Sequence, residues 1–233
     1  MSDKPKPPTE FDAYAGNYGE LVRDPIRDRF AASTDFFFKR KIQVIETFYR
    51  KRGISTNSLA WLDVGCGRGD LMRAGQTHFQ SVSGCDPSEE MLKACAPFDV
   101  RRQDPPDKLP FDDGAFDFVT AVSVYHHVPP EGRALLTLEM KRLLKPDGIM
   151  CIIEHNPLNP VTRVIVARAP VDANAQLLRL REARRLLLDS GARIIDWSYF
   201  LLLPQFLHRR LASLESALSG LPLGGQYAVF AQK

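Results

Sequence analysis

Residues 61–69, which read WLDVGCGRG, decide the fold of this chain. An acid, Asp63, interrupts a run of apolar residues, and the run then breaks into three glycines at alternating positions, Gly65, Gly67 and Gly69. Glycine tolerates backbone conformations that other residues avoid, and a loop without side chains lets a ligand approach the backbone N–H groups. The stretch therefore predicts a buried parallel strand that ends in a ligand-binding loop.

Two acids in and beside this loop indicate which ligand it would take. A carboxylate at Asp63 repels the pyrophosphate of a dinucleotide and attracts the cationic amino-acid end of S-adenosylmethionine. The dinucleotide fingerprint G-x-G-x-x-G/A also requires a small residue at position 70, where this chain has Asp70. The loop therefore favours S-adenosylmethionine, and a nicotinamide dehydrogenase is left as a lesser alternative.

The composition is that of an ordinary globular protein, with 44% hydrophobic and 25% charged residues and a net charge of +3. No apolar run reaches the length of a membrane span, and the polar, proline-rich start does not resemble a signal peptide. The four cysteines have no CxxC spacing, which predicts reduced, buried thiols. Basic residues cluster only locally, unlike a nucleic-acid footprint. We expect a cytoplasmic protein, monomeric or homodimeric, with no nucleic-acid partner.

From residue 59 onward, short apolar strands alternate with helices, which is typical of a parallel sheet covered by helices on both faces. We predict a disordered tail over residues 1–10 and a single domain over 11–233 that begins with a helical lid, 11–52. Two insertions, 155–178 and 203–224, should lie beside the ligand cleft. The predicted strands are 59–64, 81–85, 98–101, 116–122, 148–153, 193–202 and 226–232, and the main helices are 68–79, 88–95, 131–144 and 179–190, with a turn at 146–148.

A further acid, Asp86, follows the second predicted strand. A carboxylate there can accept hydrogen bonds from both hydroxyls of a ribose. The alternative is a helix N-cap, because Asp86-Pro87-Ser88 precedes Glu89-Glu90, and the two roles are compatible. Another acid, Asp104, follows the third strand and could accept a hydrogen bond from an adenine amino group. The alternative for Asp104 is an ordinary turn aspartate before two prolines.

Four segments carry a family resemblance: LDVGCGRGD, GCDPSEEML, LPFDDGAFDFVTAVSVYHHV and LLKPDGIMCIIEHNP. Together they cover about residues 59–156 and resemble the class I S-adenosylmethionine-dependent methyltransferases, more narrowly the small-molecule branch that includes ubiquinone and menaquinone methyltransferases. The N-terminal FDAYAGNY is similar to the lead-in of that branch, where an aromatic helix closes over the cofactor. The resemblance implies a Rossmann-like, doubly wound α/β fold with seven strands, the last of them antiparallel.

The resemblance also implies a set of residues that bind S-adenosylmethionine at the carboxyl ends of the first strands. Its members are the lid aromatic Tyr18; Asp63, Gly65, Cys66, Gly67 and Gly69 around the methionine end; Asp86, Pro87, Met91 and Asp104 around the ribose and adenine; and Val122 and Ser123 beside the sulfonium.

Methyl transfer is an in-line displacement that needs a base only if the acceptor is a hydroxyl or a protonated amine. The candidates are His126, His127, Glu154 and His155, which are predicted to face the cleft from strand ends. For His127 the alternative is a packed histidine that bridges loop backbone, and for Glu154-His155 it is a structural tie to the following loop. Adjacent side chains on a strand or turn point apart, so His126-His127 does not predict a metal site.

The acceptor pocket is predicted from Tyr14, Tyr18, Phe36–Phe38 and the two insertions, with Arg163 and Arg168 available to an acidic group. The predicted function is transfer of a methyl group to an O, N or C atom of a small, partly hydrophobic molecule. The alternatives are an RNA or protein methyltransferase, or a scaffold that binds the cofactor without turnover. The segment Asp104-Pro105-Pro106-Asp107 resembles an amino-methylation motif, but it follows the third strand, where that motif does not belong.

Overall fold

The computed structural model describes residues 9–103 and 108–233. It contains a seven-stranded sheet in the order β3-β2-β1-β4-β5-β7-β6. Strands β1 to β5 run parallel to one another, whereas β7 is antiparallel to both of its neighbours, β5 and β6. The predicted fold and its antiparallel last strand are therefore confirmed. The strands are β1 (Ala60–Val64), β2 (Ser81–Asp86), β3 (Asp99–Arg102), β4 (Phe116–Val122), β5 (Leu144–His155), β6 (Arg193–Phe200) and β7 (Gln226–Gln232).

Several strand boundaries differ from the prediction, most of them by one or two residues, and at the start of β5 and the end of β6 the backbone turns at single residues. Strand β5 begins at Leu144 and contains the predicted turn as a bulge, in which Asp147 has a φ of 63°. Accordingly, Phe116 pairs with Leu144 while Phe118 pairs with Ile149. Strand β6 ends at Phe200 because Leu201, with a φ of 60°, turns the chain out of the sheet.

Helices cover both faces of the sheet, and successive residues of each strand point to opposite faces. Met150 and Ile152 of β5 pack against the helices on one face, while Cys151 and Ile153 pack against those on the other. The helices are α1 (Glu10–Tyr14), α2 (Tyr18–Leu21), α3 (Pro25–Phe30), α4 (Asp35–Arg50), α5 (Asp70–Gly75), α6 (Glu89–Leu92), α7 (Pro130–Leu143), α8 (Pro160–Arg168), α9 (Leu180–Asp189) and α10 (Gln205–Ala217).

The N-terminal part is helical as predicted, but it consists of four separate helices. Most of the predicted disordered tail lies outside the described residues; Glu10, the last residue of that tail, begins α1, and Thr9 caps it. The insertion 155–178 contains α8 between two loops, and 203–224 contains α10. The four cysteines are free and buried. Within the described ranges, no helix has both the length and the apolar character that crossing a bilayer requires.

Candidate active site

The glycine loop follows β1 and takes a path that side chains would obstruct. Gly65 and Gly67 have φ values of 70° and 52°, in the left-handed region that favours glycine. A Cβ atom on Gly65 would lie 2.4 Å from a methyl carbon of Val124, whereas one on Gly67 would have no heavy atom within 4 Å. The space before Gly67 is therefore open to a ligand.

Asp86 stands at the end of β2 and holds the glycine loop in place. Its Oδ2 accepts a hydrogen bond of 2.8 Å from the backbone N–H of Gly67, and its Oδ1 accepts one of 2.9 Å from that of Ser88. Ser88, not Asp86, caps α6, by accepting a hydrogen bond from the N–H of Met91. Each carboxylate oxygen of Asp86 keeps a lone pair for a further donor, such as a ribose hydroxyl. Burial raises the pKa of this carboxyl group.

Asp63 is almost fully buried, at 3% exposure, yet it lines the same cavity. Its Oδ1 accepts a hydrogen bond of 2.8 Å from the hydroxyl of Thr120, which in turn accepts one from the indole N–H of Trp61. Burial raises the pKa of Asp63 to about 7, and the hydrogen bond from Thr120 opposes that shift. A cationic group bound beside Asp63 would favour its ionised form.

A cavity of about 1,250 Å³ brings most of the predicted site residues together. Glu154 and Gly69 do not line it, since Glu154 is fully buried behind His126 and Gly69 is the N-cap of α5. Asp104 lies outside the described residues. The predicted residues that do line the cavity are Tyr18, Asp63, Gly65, Cys66, Gly67, Asp86, Pro87, Met91, Val122, Ser123, His126, His127 and His155.

The N-terminal helices reach over this cavity. Asp12 of α1 accepts a hydrogen bond of 2.6 Å from the hydroxyl of Ser88 and a longer one, 3.2 Å, from the N–H of Glu90. The ring of Phe11 packs edge-on against His127, with 5.0 Å between ring centroids. Phe11 and Tyr18 line the cavity. The segment therefore contacts α6, beside Asp86, and the loop that follows β4.

His126 and Glu154 form a buried pair at the base of the cavity. Nδ1 of His126 lies 2.6 Å from Oε2 of Glu154, and Oε1 of Glu154 accepts a hydrogen bond of 2.7 Å from the N–H of Tyr125. On the other side of the ring, Oδ1 of Asp172 lies 3.4 Å from Nε2 of His126 and 3.4 Å from Nε2 of His127. Burial alone lowers the pKa of His126, but the two carboxylates outweigh it and raise the pKa to about 10.

The prediction that the two adjacent histidines point apart is wrong. Their ring centroids are 4.1 Å apart, because residues 124–127 form a tight turn in which neighbouring side chains can converge. Asp172, in the insertion after β5, completes a group of three ligand atoms within 4.8 Å of one another, which sequence analysis did not find. Glu154 likewise faces this turn and not the cleft, because it bonds to the N–H of Tyr125.

His155 is the base candidate most clearly held in its neutral form. Its ring lies 5.2 Å from that of His126, and it lines the cavity. Burial, followed by the positive charge of His126, lowers the pKa of His155 to about 4. A neutral imidazole keeps one nitrogen lone pair that can accept a proton.

The wall opposite the sheet is aromatic, formed by Phe30, Phe37 and Phe38 among others. The predicted acceptor residues Tyr14, Phe36, Arg163 and Arg168 do not line it. Phe36 packs against Phe30 and His208, and Arg168 reaches outward, 3.6 Å from Asp24. Only Leu223 of the insertion 203–224 contacts the cavity.

The cationic residues that line the cavity are Arg27, Lys41, Arg68 and Arg102. Arg27, Lys41 and Asp172 were not predicted from the sequence as site residues. One signal existed: Phe38, Lys41, Ile45 and Phe48 recur at helical spacing, which puts a lysine on the apolar face of α4.

Residues 62–152 match the family model described as "Methyltransferase domain". Among curated proteins, the chain is 38% identical over 107 residues to the ubiquinone/menaquinone biosynthesis C-methyltransferase UbiE of Geotalea uraniireducens, a match over 41% of this chain and 45% of that protein. It is 30% identical over 129 residues to the 2-methyl-6-phytyl-1,4-hydroquinone methyltransferase of Synechocystis, covering 52% of this chain and 40% of that one. The chain thus spans less than half the length of these relatives.

Solved structures share the fold. A methyltransferase from Archaeoglobus fulgidus superposes with a TM-score of 0.61 at 20% identity, over 86% of this chain and 100% of that chain. One from Thermotoga maritima gives 0.64 at 18% identity, over 96% and 98%. The chain therefore shares the Rossmann-like fold of these solved structures.

Proposed function

We propose that this chain, whose residues 62–152 carry a methyltransferase domain, transfers a methyl group from S-adenosylmethionine to an O, N or C atom of a small molecule. One observation carries the proposal: the glycine loop, Asp63 and Asp86 border the same cavity as the aromatic wall of α3 and α4. The cavity is therefore shared by the residues assigned to the cofactor and those assigned to the acceptor. We also propose a single domain over residues 11–233, a cytoplasmic location, a monomer or homodimer, and no nucleic-acid partner.

The residues of the cavity fit S-adenosylmethionine. The carboxylate of Asp86 has lone pairs left for two ribose hydroxyls, and Asp63 offers a negative charge to the ammonium group. The open space before Gly67 admits a ligand against the backbone, and Pro87 and Met91 offer apolar contacts to the adenine. Val122 and Ser123 would flank the sulfonium.

When bound, the cofactor supplies a methyl carbon that a cationic sulfur already activates as a leaving group. The side chains have two tasks: they hold the acceptor in line and they remove a proton where the acceptor carries one. We assign the proton-accepting role to His155, because it lines the cavity and is neutral there, with a nitrogen lone pair that can accept a proton. His126 is protonated between Glu154 and Asp172, so we assign it to positioning His127 and the turn after β4.

The acceptor that suits the cavity best is a hydroxylated aromatic molecule of the quinol class. The two curated relatives named above are a quinone-biosynthesis and a hydroquinone methyltransferase. In this chain, Phe30, Phe37 and Phe38 offer aromatic surface for stacking, and His155 lies within the same cavity for a phenolic proton. The oxygen that gives up this proton would receive the methyl group, or a ring carbon ortho to it would receive the group and then release its own hydrogen as a proton.

The proposal is tested first by calorimetric titration with S-adenosylmethionine and S-adenosylhomocysteine, with NAD as the control. We expect micromolar binding of the adenosyl ligands and none of NAD. The protein is then incubated with S-adenosylmethionine and a panel of hydroquinones, and the products are analysed by mass spectrometry. Absence of adenosyl binding refutes the cofactor assignment, whereas binding without any methylated product refutes the acceptor class.

A further inference from the structure

Lys41 is a lysine in the protein interior. It lies on α4, on the same face as Phe38, Ile45 and Phe48, and only 5% of its surface is exposed. Lys41 lines the cavity that we assign to cofactor and acceptor. A lysine in such a place is rare, since burying an ammonium group is costly unless it is paired.

No hydrogen bond or ion pair joins the side chain of Lys41 to any residue in the described ranges 9–103 and 108–233. Its closest recorded interaction is with the ring of Phe38, 5.1 Å from Nζ to the ring centroid. By contrast, Lys145 lies 2.8 Å from a carboxylate oxygen of Asp117. The amino group of Lys41 is therefore buried, and its hydrogen-bond donors are unused.

The surroundings of Lys41 leave room for a negative charge. Arg27 lines the same cavity, where its guanidinium lies 4.8 Å from the ring centroid of Phe37 and donates to the carbonyl of Val22. Burial, and next the charge of Arg27, lowers the pKa of Lys41 to about 7, while Asp63 and Glu154 raise it. Neither carboxylate is hydrogen-bonded to Lys41. Asp63 accepts a hydrogen bond from Thr120, and Glu154 is bonded to His126 and to the N–H of Tyr125.

We propose that Lys41, supported by Arg27, is the anion-binding group of this cavity and that its ammonium receives an anionic oxygen of a bound ligand. The inference rests on the proposed function. Two ligands could supply that oxygen with the same chemistry: the carboxylate of the cofactor's methionine part, or a carboxylate or phenolate of the acceptor. An anion would satisfy the donors of Lys41 and offset the repulsion between Lys41 and Arg27.

The test compares Lys41→Met, which keeps the length of the side chain and removes the charge, with Lys41→Arg, which keeps the charge. Lys39→Met is the matched control, because Lys39 is exposed on the same helix. Thermal unfolding establishes that each variant folds. We expect Lys41→Met to be at least as stable as the wild type, since it removes an unpaired buried charge.

Calorimetry with three probes then distinguishes the sources. S-adenosylhomocysteine carries the carboxylate, 5′-methylthioadenosine lacks the amino-acid part, and benzoate, added to protein saturated with S-adenosylhomocysteine, represents an acidic acceptor. If the cofactor supplies the anion, Lys41→Met weakens S-adenosylhomocysteine binding by about 10- to 100-fold and leaves 5′-methylthioadenosine unchanged. If the acceptor supplies it, only benzoate binding is lost. Lys41→Arg should bind the affected ligand with an affinity between those of Lys41→Met and the wild type.

The proposal is wrong if Lys41→Met binds every probe as tightly as the wild type does. A wild-type protein that binds neither adenosyl compound refutes the proposed function instead. In that case benzoate is titrated into the free protein, and equal binding by wild type and Lys41→Met, or none by either, refutes the role of Lys41 as well.

Discussion

Nδ1 of His126 lies 2.6 Å from Oε2 of Glu154, and both side chains are buried. The pair bonds to the backbone of the turn after β4 through the N–H of Tyr125, and Asp172 approaches the opposite side of the same ring. Two strand ends and the 155–178 insertion are thus joined at one imidazole.

This pair predicts a pH dependence of stability. The pKa of His126 is raised from 6.5 to about 10 on folding, so the folded state keeps a proton that the unfolded state releases. The stabilisation is complete below pH 6.5 and is lost as the pH rises toward 10. Denaturant unfolding of wild type and His126→Asn should show their difference in unfolding free energy shrinking by about 3 kcal/mol between pH 6.5 and 9. A constant difference would mean that His126 is neutral in the folded protein.

Replacement of Asp86 by Asn should weaken cofactor binding. The amide keeps the size of the side chain, but its NH₂ group would face a backbone donor, the N–H of Gly67 or of Ser88. The substitution also removes the negative charge that Asp86 would offer to the ribose hydroxyls. We expect S-adenosylhomocysteine affinity to fall by about 2 kcal/mol, roughly 30-fold, in calorimetry. Asp99→Asn, an exposed change at the start of the neighbouring strand β3, is the control. Unchanged affinity in Asp86→Asn would remove this residue from the site.

A comparison of Gly67→Ala with Gly53→Ala distinguishes the effect of backbone strain from the loss of space for a ligand. Gly67 and Gly53 both have positive φ and both have open space where a Cβ would lie, but only Gly67 lines the cavity. Each alanine variant should lose about 1–2 kcal/mol of stability, because alanine is strained in the left-handed region. Calorimetry should show a further loss of S-adenosylhomocysteine binding in Gly67→Ala alone. Equal affinities in the two variants would place the ligand elsewhere.

His155→Ala should spare cofactor binding and slow the methylation of hydroxyl acceptors. A positioned base contributes about 10²- to 10⁴-fold to the rate, so a loss in that range is expected in steady-state kinetics. Since the pKa of His155 is about 4, the wild-type rate should not fall as the pH decreases from 8 to 6 on account of this group. His78→Ala, a partly exposed histidine paired with Glu46, is the control. A rate equal to that of the wild type would exclude His155 as the base.

The sequence by itself determined the sheet and the end of the sheet at which the cavity lies. The strand before Gly65, the position of Asp86 after β2 and the alternation of strands with helices are local and periodic features, so they follow from short-range rules. Strand ends were less certain, because Leu201 and Asp147 turn the chain without a glycine or proline at the turning residue.

Only the tertiary structure decided which distant side chains meet in the cavity. Asp172 reaches the histidine pair from an insertion with no motif of its own, and Lys41 enters the cavity from a helix that otherwise packs against the sheet. Arg168, expected inside, turns outward toward Asp24. Burial and pairing depend on residues far apart in the chain, so the charge state of His126, His155 and Lys41 becomes defined only when those residues are brought together.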